Sequence, residues 1–214
     1  MKSRHPKTAV LVLGNRRDFR FHLICFSFLL IAAALPALPR TAHGADADEA
    51  ALWEALQSGG HIVMIRHALA PGSGDPPNFD VNDCATQRNL SDRGRDQARA
   101  IGAAFQEKNV PVGEVRTSAW CRCKETAELA FGEANVWPAL NSFWQNRSAG
   151  PARVEKIQAR LKQPVENGNL FLVTHYIGIL NSTGEAVGSG EAVVVRPLPP
   201  DDFEVAGRLP FEIP

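Results

Sequence analysis

The chain has 214 residues, of which 44% are hydrophobic, and this composition supplies enough apolar surface for one globular domain with an ample core. Its 23 basic and 23 acidic residues balance, but the first 44 residues hold seven of the basic and one of the acidic ones, which leaves 16 and 22 in the remainder, a net charge near −6. An acidic domain of this kind has no electrostatic footprint for nucleic acid or for an anionic membrane, so a phosphate site in it must be a local cluster of Arg and His.

Residues 1–44 have the layout of a secretory signal peptide, and we place the domain at residues 45–214. A basic stretch precedes an apolar run at 23–35, and the small-x-small sequence at 42–44 fits a cleavage site. A membrane anchor is the alternative, but this run falls short of the roughly 20 apolar residues that a bilayer requires. We therefore expect a periplasmic or secreted protein without a stable membrane anchor. The arginine pair at 16–17 fits a twin-arginine signal and equally a chance pairing in a basic segment, so the export route stays open.

The first buried strand of the domain ends on an arginine and a histidine. A helix predicted at 48–58 is followed by an apolar run at 61–65 that is too short for a helix and therefore predicts a strand. Arg66 and His67 come next, and the carboxyl ends of strands in an open α/β sheet are where ligands bind. The loop at 69–87 is rich in Gly, Pro, Asp and Asn, which indicates either a segment that overhangs the site or a mobile, solvated loop.

The rest of the chain alternates between predicted helices and strands. Further helices are predicted at 90–108, 119–131 and 151–161. Further strands are predicted at 112–118, 134–138, 169–175 and 191–197, with a tail at 201–214 that has room for one edge strand. This alternation predicts an α/β fold, a three-layer α/β/α sandwich with a mostly parallel central sheet and no second domain.

Three strand–helix boundaries present cationic or imidazole side chains at the same edge of this predicted sheet. These side chains are Arg66, His67, Arg122 and His175. Guanidinium groups match phosphoryl oxygens in bidentate fashion, and imidazolium adds a further charged donor, so the four predict a phosphate-binding site. Arg88, which precedes the helix at 90–108, is a further candidate for substrate binding, and a surface position is the equal alternative.

Three cysteines remain in the predicted mature chain, at positions 84, 121 and 123. In an oxidising compartment the natural arrangement is one disulfide and one free thiol. Cys84 lies in the long loop and the other two flank Arg122, so we expect a disulfide from Cys84 to Cys121 or Cys123 that ties the loop to the helix. A Cys-x-Cys metal site is the alternative, but no further ligands are spaced to complete it, and we expect no metal.

Four motifs surround the candidate residues: RHA at 66–68, LSDRGRDQA at 90–98, TSAWCRCKETA at 117–127 and VTH at 173–175. In their order and spacing they resemble the histidine phosphatase (phosphoglycerate mutase-like) superfamily over about residues 60–197. Within that family the pattern is similar to exported bacterial members, including those that act on phosphorylated lipopolysaccharide core sugars.

The resemblance implies a phosphomonoesterase and gives each residue a role. His67 would be the nucleophile that carries the phosphoryl group as phosphohistidine, and Arg66 and Arg122 would bind phosphoryl oxygens. His175 would donate to the charge that develops there. A neutral His67 ring must attack, so we expect its other ring nitrogen to donate to a backbone carbonyl. The implied partner is a phosphorylated small molecule or an envelope sugar, no cofactor is required, and nothing in the sequence indicates an oligomeric state.

The sequence also departs from the family. Many members carry a Glu or Asp between the second arginine motif and the second histidine motif as general acid, but residues 140–147 contain no carboxylate. Gly178 stands where related exported members more often show an asparagine. Asp80 and Asp83 in the long loop, and Glu185, are the substitute acids that the sequence offers. The missing acid leaves a second interpretation open, a catalytically weakened member that binds phosphorylated ligands.

Overall fold

A six-stranded sheet forms the centre of the domain in the computed structural model, which describes residues 43–212 and their side chains from residue 49 onwards. The strands are β1 Ile62–Arg66, β2 Val112–Thr117, β3 Asn135–Val136, β4 Asn169–Thr174, β5 Ala192–Leu198 and β6 Asp202–Leu209. Their order across the sheet is β3-β2-β4-β1-β5-β6. The pairings among β1 to β4 are parallel, whereas β5 pairs antiparallel with β1 and with β6. The prediction of a mostly parallel α/β sheet is confirmed.

Helices cover both faces of this sheet. They are α1 His43–Gln57, α2 Asp92–Glu107, α3 Cys121–Phe131, α4 Gly150–Leu161 and α5 Tyr176–Thr183, with short 3₁₀ turns at Cys84–Thr86, Pro138–Leu140 and Arg147–Ala149. One apolar cluster joins α1, α2 and α3 to the sheet, and a second joins α4 and α5 to its other side. None of the described helices is long and apolar enough to cross a membrane.

Strand β1 is apolar on both of its faces because it lies between these two layers of helices. Val63 and Ile65 belong to the cluster under α1, α2 and α3, whereas Ile62 and Met64 belong to the cluster under α4 and α5. All four are fully buried, because successive side chains of a strand point to opposite faces and both faces are covered. Each contributes about 1.5–3 kcal/mol through burial, so this strand anchors the residues that follow it.

The elements differ from the sequence-based prediction at three places. Helix α1 begins at His43 rather than at residue 48, and α5 was not predicted because its apolar residues continue the run of the preceding strand. The strand predicted at 134–138 is only two residues long and gives way to a 3₁₀ turn. The predicted tail strand is present as β6. The predicted signal peptide, residues 1–44, lies outside the described residues except for the first two residues of α1.

The start of α2 packs against the backbone that leaves β1. Ser91 caps the helix by accepting a hydrogen bond from the Gly94 amide at 3.1 Å. A Cβ on Gly94 would lie only 2.0 Å from the carbonyl oxygen of Leu69, so glycine is required for this close approach. The LSDRG sequence therefore places the helix start directly behind the residues that follow His67.

A disulfide fixes the far end of the long loop. Cys84 is bonded to Cys121, with 5.7 Å between their Cα atoms, and Cys123 is free and buried. Phe79 stacks on Trp120 with 5.1 Å between the ring centroids, which adds a second attachment. The predicted disulfide is thus confirmed, and Cys121 is the partner of Cys84.

Cys84→Ser is expected to lower the free energy of unfolding by about 3–4 kcal/mol, because the bond closes a loop with a sequence separation of 37 and thereby restricts the unfolded chain. Urea denaturation measures the loss, and a thiol reductant should reproduce it in the wild type. The control is Cys84→Ser itself with the reductant, which should show no further change. Non-reduced peptide mapping that joined Cys84 to Cys123 would contradict this structure.

Candidate active site

The carboxyl ends of β1, β2 and β4 surround a cavity of about 290 Å³. Because β1 and β4 pair in parallel with Arg66 opposite Thr174, the residues that follow them, His67 and His175, emerge side by side. Helix α3 begins after β2 and brings Arg122 to the same cavity. The structure therefore brings together the four predicted residues, and Arg88, the further candidate, also lines the cavity.

The His67 ring is held in one orientation and is only 2% exposed. Its Nδ1 lies 2.8 Å from the carbonyl oxygen of Ala68, which can only accept, so Nδ1 carries the proton and Nε2 keeps its lone pair. The Ala68 amide donates in turn to Thr126 Oγ1 on α3 at 3.0 Å. Burial, with the Arg122 charge as the next cause, lowers the pKa of His67 well below its usual value. The ring is thus neutral at physiological pH, as nucleophilic attack requires.

His175 is held through its other nitrogen. Its Nε2 lies 2.9 Å from Ser118 Oγ, and that oxygen lies 3.2 Å from Asn141 Oδ1. Since Asn141 Oδ1 only accepts, Ser118 donates to it and accepts from His175 Nε2, which leaves the lone pair on Nδ1. Nδ1 lies 3.5 Å from an Arg122 Nη2 donor. Burial, then the neighbouring His67 and Arg122, lowers the pKa of His175 well below its usual value.

Arg66 and Arg122 both line the cavity. Arg66 donates from Nη1 to the carbonyl of Val187 at 2.9 Å, and its guanidinium lies 5.6 Å from the centroid of the Tyr176 ring. The Nε atoms of Arg66 and Arg122 are buried and have no hydrogen-bond partner in the part of the chain that the structure describes. Both side chains line the cavity, so together they bring two positive charges to it, which suits the binding of an anion.

Arg88 holds the long loop against the cavity. Its Nε donates to the carbonyl of Gly74 at 2.8 Å, and its Nη1 donates to the carbonyl of Ala70. Two of its guanidinium nitrogens are therefore used by the loop rather than by a ligand. This contact keeps residues 72–75 at the cavity wall, which agrees with the expectation of an overhanging loop.

Asp75 is the site residue that the sequence analysis missed. Its carboxylate forms a buried ion pair with Arg122, with side chains 3% exposed for the arginine and 5% for the aspartate. The distances are 2.7 Å from Oδ1 to Nη1 and 3.3 Å from Oδ2 to Nη2. Oδ2 also accepts from the Trp120 indole at 3.0 Å, and Oδ1 accepts from the Arg88 amide at 3.2 Å. Its nearness in sequence to His67, within the predicted overhanging loop, was the available signal.

The three substitute acids are used elsewhere in the structure. Asp80 accepts from the amide of Asn82 at 2.8 Å, and Asp83 caps the 3₁₀ turn at Cys84–Thr86. Glu185 lies 3.8 Å from Arg208 in an ion pair. The structure does not bring any of the three carboxylates to the cavity lining, because local turns and this ion pair hold them.

The segment at 140–147 forms part of the cavity rim without supplying a carboxylate. Ser142, Trp144 and Gln145 line the cavity, and Gln145 donates to the backbone of Asp75 at 3.3 Å. The Trp144 side chain is 53% exposed, and the Arg147 guanidinium lies 4.4 Å from its ring centroid. The rim therefore offers an aromatic surface and neutral polar groups to the part of a ligand outside the phosphate site.

Two of the described cysteines, Cys121 and Cys123, lie in the first turn of α3. Cys121 is in the disulfide, and the Cys123 thiol is fully buried, 3.5 Å from His175 Nε2. Burial raises the pKa of Cys123 to about 12, so the thiol is not a ready ligand. The described residues contain no group of three or more His, Cys, Asp or Glu side chains that could hold a metal ion.

Residues 62–159 match the family model of the histidine phosphatase superfamily (branch 1). Among curated proteins, the chain is 33% identical over 73 residues to the mitochondrial serine/threonine-protein phosphatase Pgam5 of Drosophila grimshawi. The matched stretch covers 34% of this chain and 22% of that protein. The same protein of Drosophila willistoni is 30% identical over 77 residues, which covers 36% of this chain and 24% of the relative. The match thus spans less than a quarter of these relatives.

Comparison with solved structures finds chains whose fold is similar to that of this chain. The protein histidine phosphatase SixA in complex with tungstate is 16% identical, with a TM-score of 0.49, and covers 70% of this chain and 96% of its own. The product of open reading frame Rv3214 from Mycobacterium tuberculosis is 18% identical, with a TM-score of 0.49, and covers 70% of this chain and 94% of its own.

The two buried histidines are expected to make the domain less stable in mild acid. The unfolded chain binds protons at these rings near pH 6.5, whereas the folded chain resists them because both pKa values are lowered. The free energy of unfolding therefore keeps its full value above pH 6.5. It decreases as the pH is lowered further, by up to about 1.4 kcal/mol per pH unit for each ring. Urea denaturation from pH 7.5 to pH 5 measures this slope.

The matched variants are His67→Gln, His175→Gln and the double variant. Each single change should remove part of the slope below pH 6.5, and the double change should remove more. A double variant that kept the full wild-type slope would show that other groups cause the acid sensitivity.

Proposed function

We propose that this chain, whose residues 62–159 belong to the histidine phosphatase superfamily, is a phosphomonoesterase that transfers a phosphoryl group from its substrate to His67 and then to water. The observation that carries the proposal is the His67 ring. Its Nδ1–H donates to the Ala68 carbonyl, so the ring is neutral and Nε2 keeps the lone pair that a nucleophile needs. The ring lines the same cavity as two arginines. A site built only to bind phosphate would not need such a nucleophile.

The first step joins His67 to the phosphoryl group. The Nε2 lone pair attacks phosphorus while the bond to the leaving oxygen breaks, and the leaving oxygen takes up a proton, which gives a phosphohistidine and an alcohol. Arg66 and Arg122, which both line the cavity, supply positive charge to the phosphoryl oxygens. In the second step water attacks phosphorus, the nitrogen–phosphorus bond pair returns to Nε2, and the proton that the water loses leaves with inorganic phosphate.

His175 is suited to respond to the charge of the substrate. Its Nδ1 carries no proton, because Nε2 holds the ring proton and donates it to Ser118 Oγ. A phosphoryl dianion beside the ring would favour its protonated form, and Nδ1–H would then donate to a phosphoryl oxygen. The ring would thus bring a second cationic donor to the transition state.

A second candidate function is phosphate-ester binding with little or no turnover. Two observations favour it: residues 140–147 contain no carboxylate, and Arg122 forms an ion pair with Asp75. The two functions differ in one observable, since only the enzyme forms a covalent phosphohistidine. The neutral His67 nucleophile favours the enzyme.

The substrate that we propose is a phosphorylated small molecule or an envelope sugar, cleaved without a metal or other cofactor. The cavity of about 290 Å³ has room for a phosphoryl group and part of its ester group, and the exposed Trp144 indole at the rim offers a face on which a sugar ring or an aryl group can stack. Periplasmic location or secretion would bring the domain to such envelope sugars and would permit the disulfide.

His67→Ala is expected to abolish phosphatase turnover, because the covalent step then has no nucleophile. The measurement is rapid quenching with a ³²P-labelled ester, which should trap an acid-labile, base-stable phosphoenzyme in the wild type alone. His61→Ala is the matched control, since this histidine lies outside the cavity and should leave both label and turnover intact. Label on another residue, or full activity of His67→Ala, would end the proposal, and ligand binding without any label would favour the second function.

The 214-residue chain expressed in a Gram-negative host is expected to yield a processed protein that begins at Ala45 in the periplasmic fraction. N-terminal mass analysis of the fractions provides the measurement. The double variant Arg16→Lys, Arg17→Lys separates the two export routes, because it should block the twin-arginine route and leave the general secretory route unaffected. Unprocessed protein confined to the cytoplasm would contradict export.

A further inference from the structure

Asp75 supplies the one carboxylate among the described residues that line the cavity. Four donors surround it: two guanidinium nitrogens of Arg122, the indole of Trp120 and the amide of Arg88. The side chain is 5% exposed, so the ion pair is shielded from water. A carboxylate at this position lies among the same donors that a phosphoryl group would use.

The ion pair conflicts with the binding of substrate. Both terminal nitrogens of Arg122 are engaged by Asp75, and one of them is also the nitrogen that approaches His175. A phosphoryl group that docks between His67 and His175 needs at least one of these donors. Arg122 is part of helix α3, whereas Asp75 lies in the long loop, so the carboxylate is the partner that gives way.

We propose that Asp75 is the catalytic acid of this site, which protonates the leaving oxygen after the incoming phosphoryl group has displaced it from Arg122. The proposal rests on the phosphatase function proposed above. Residues 140–147 carry no carboxylate that could act as general acid. The proposal gives this role to Asp75, in the loop that follows the nucleophile.

The proton balance of the two steps is complete. The second ionisation of a phosphate ester lies near pH 6, so part of the monoester arrives as its monoanion. Its proton passes to the displaced Asp75 carboxylate, because burial beside the phosphoryl group favours the protonated acid. The Asp75 carboxyl then passes this proton to the ester oxygen as the bond to phosphorus breaks and the bond to His67 Nε2 forms. In the second step the carboxylate takes a proton from the attacking water, and this proton leaves with inorganic phosphate.

The electrostatics around Asp75 agree with this order of events. Burial by itself raises the pKa of Asp75, but the hydrogen bonds and charge of Arg122, with those of Trp120 and Arg88, outweigh it and lower the pKa below its usual value. Asp75 is therefore a carboxylate before substrate binds. When the phosphoryl group of the substrate binds the Arg122 donors, Asp75 loses the partners that stabilise its carboxylate. Burial and the repulsion between the two anions remain, and both favour the protonated acid.

The test compares leaving groups in the wild type and in Asp75→Asn, which keeps the shape and removes the acid. The measurement is kcat/KM for phosphate esters from activated nitrophenyl phosphates to a sugar phosphate. The variant should lose about 10²–10⁴-fold on the sugar phosphate and remain close to wild type on the most activated aryl ester, whose leaving group needs no proton. Asp80→Asn and Asp83→Asn are matched controls from the same loop and should follow the wild type throughout.

A second measurement keeps the test decisive if Asp75→Asn alters the site. Removal of a competing anion should make the variant bind inorganic phosphate several-fold more tightly than the wild type, and Asp75→Glu should recover part of the lost activity on the sugar phosphate. An equal loss of activity on every ester, or weaker phosphate binding by Asp75→Asn, would overturn the proposal and leave Asp75 as a structural partner of Arg122. A wild type inactive on every ester would instead refute the proposed phosphatase function.

Discussion

The parallel pairing of β1 with β4 is the constraint on which the site depends. The ladder sets Arg66 opposite Thr174, and the His67 amide continues it by donating to the Thr174 carbonyl at 2.9 Å. Two histidines that are 108 positions apart in sequence therefore follow paired strands and lie with ring centroids 5.5 Å apart. The apolar side chains of both strands are buried on both faces, so the hydrophobic core fixes the distance between the two rings.

The sequence was most informative where chemistry is attached to regular structure. His67 and His175 were found because each directly follows a continuous apolar run, and the edge of a sheet is defined by where its strands end. Arg122 was found because it lies in the first turn of a helix that follows a strand. In all three cases local pattern and topology together determine the place of the side chain, and neither depends on the path of a loop.

The sequence was less informative where position depends on tertiary contacts. Asp75 could not be separated from Asp80 and Asp83 by composition, since the selection is made by the path of the loop across Arg88 and Trp120. The choice between Cys121 and Cys123 was open for a related reason. Residues two apart on a helix point about 200° apart, so one cysteine faces the loop and the other faces His175, but only the orientation of the helix tells which.

The burial of Cys123 has a consequence for how the chain oxidises. The three cysteines at positions 84, 121 and 123 can form three different single disulfides among themselves, and thiolate attack interconverts them. With a pKa of about 12, roughly one Cys123 side chain in 10⁵ is a thiolate at pH 7, and the folded protein shields it from solvent. The native bond is therefore protected from disulfide shuffling once the domain has folded, and any mispairing is confined to the time before the core closes over this sulfur.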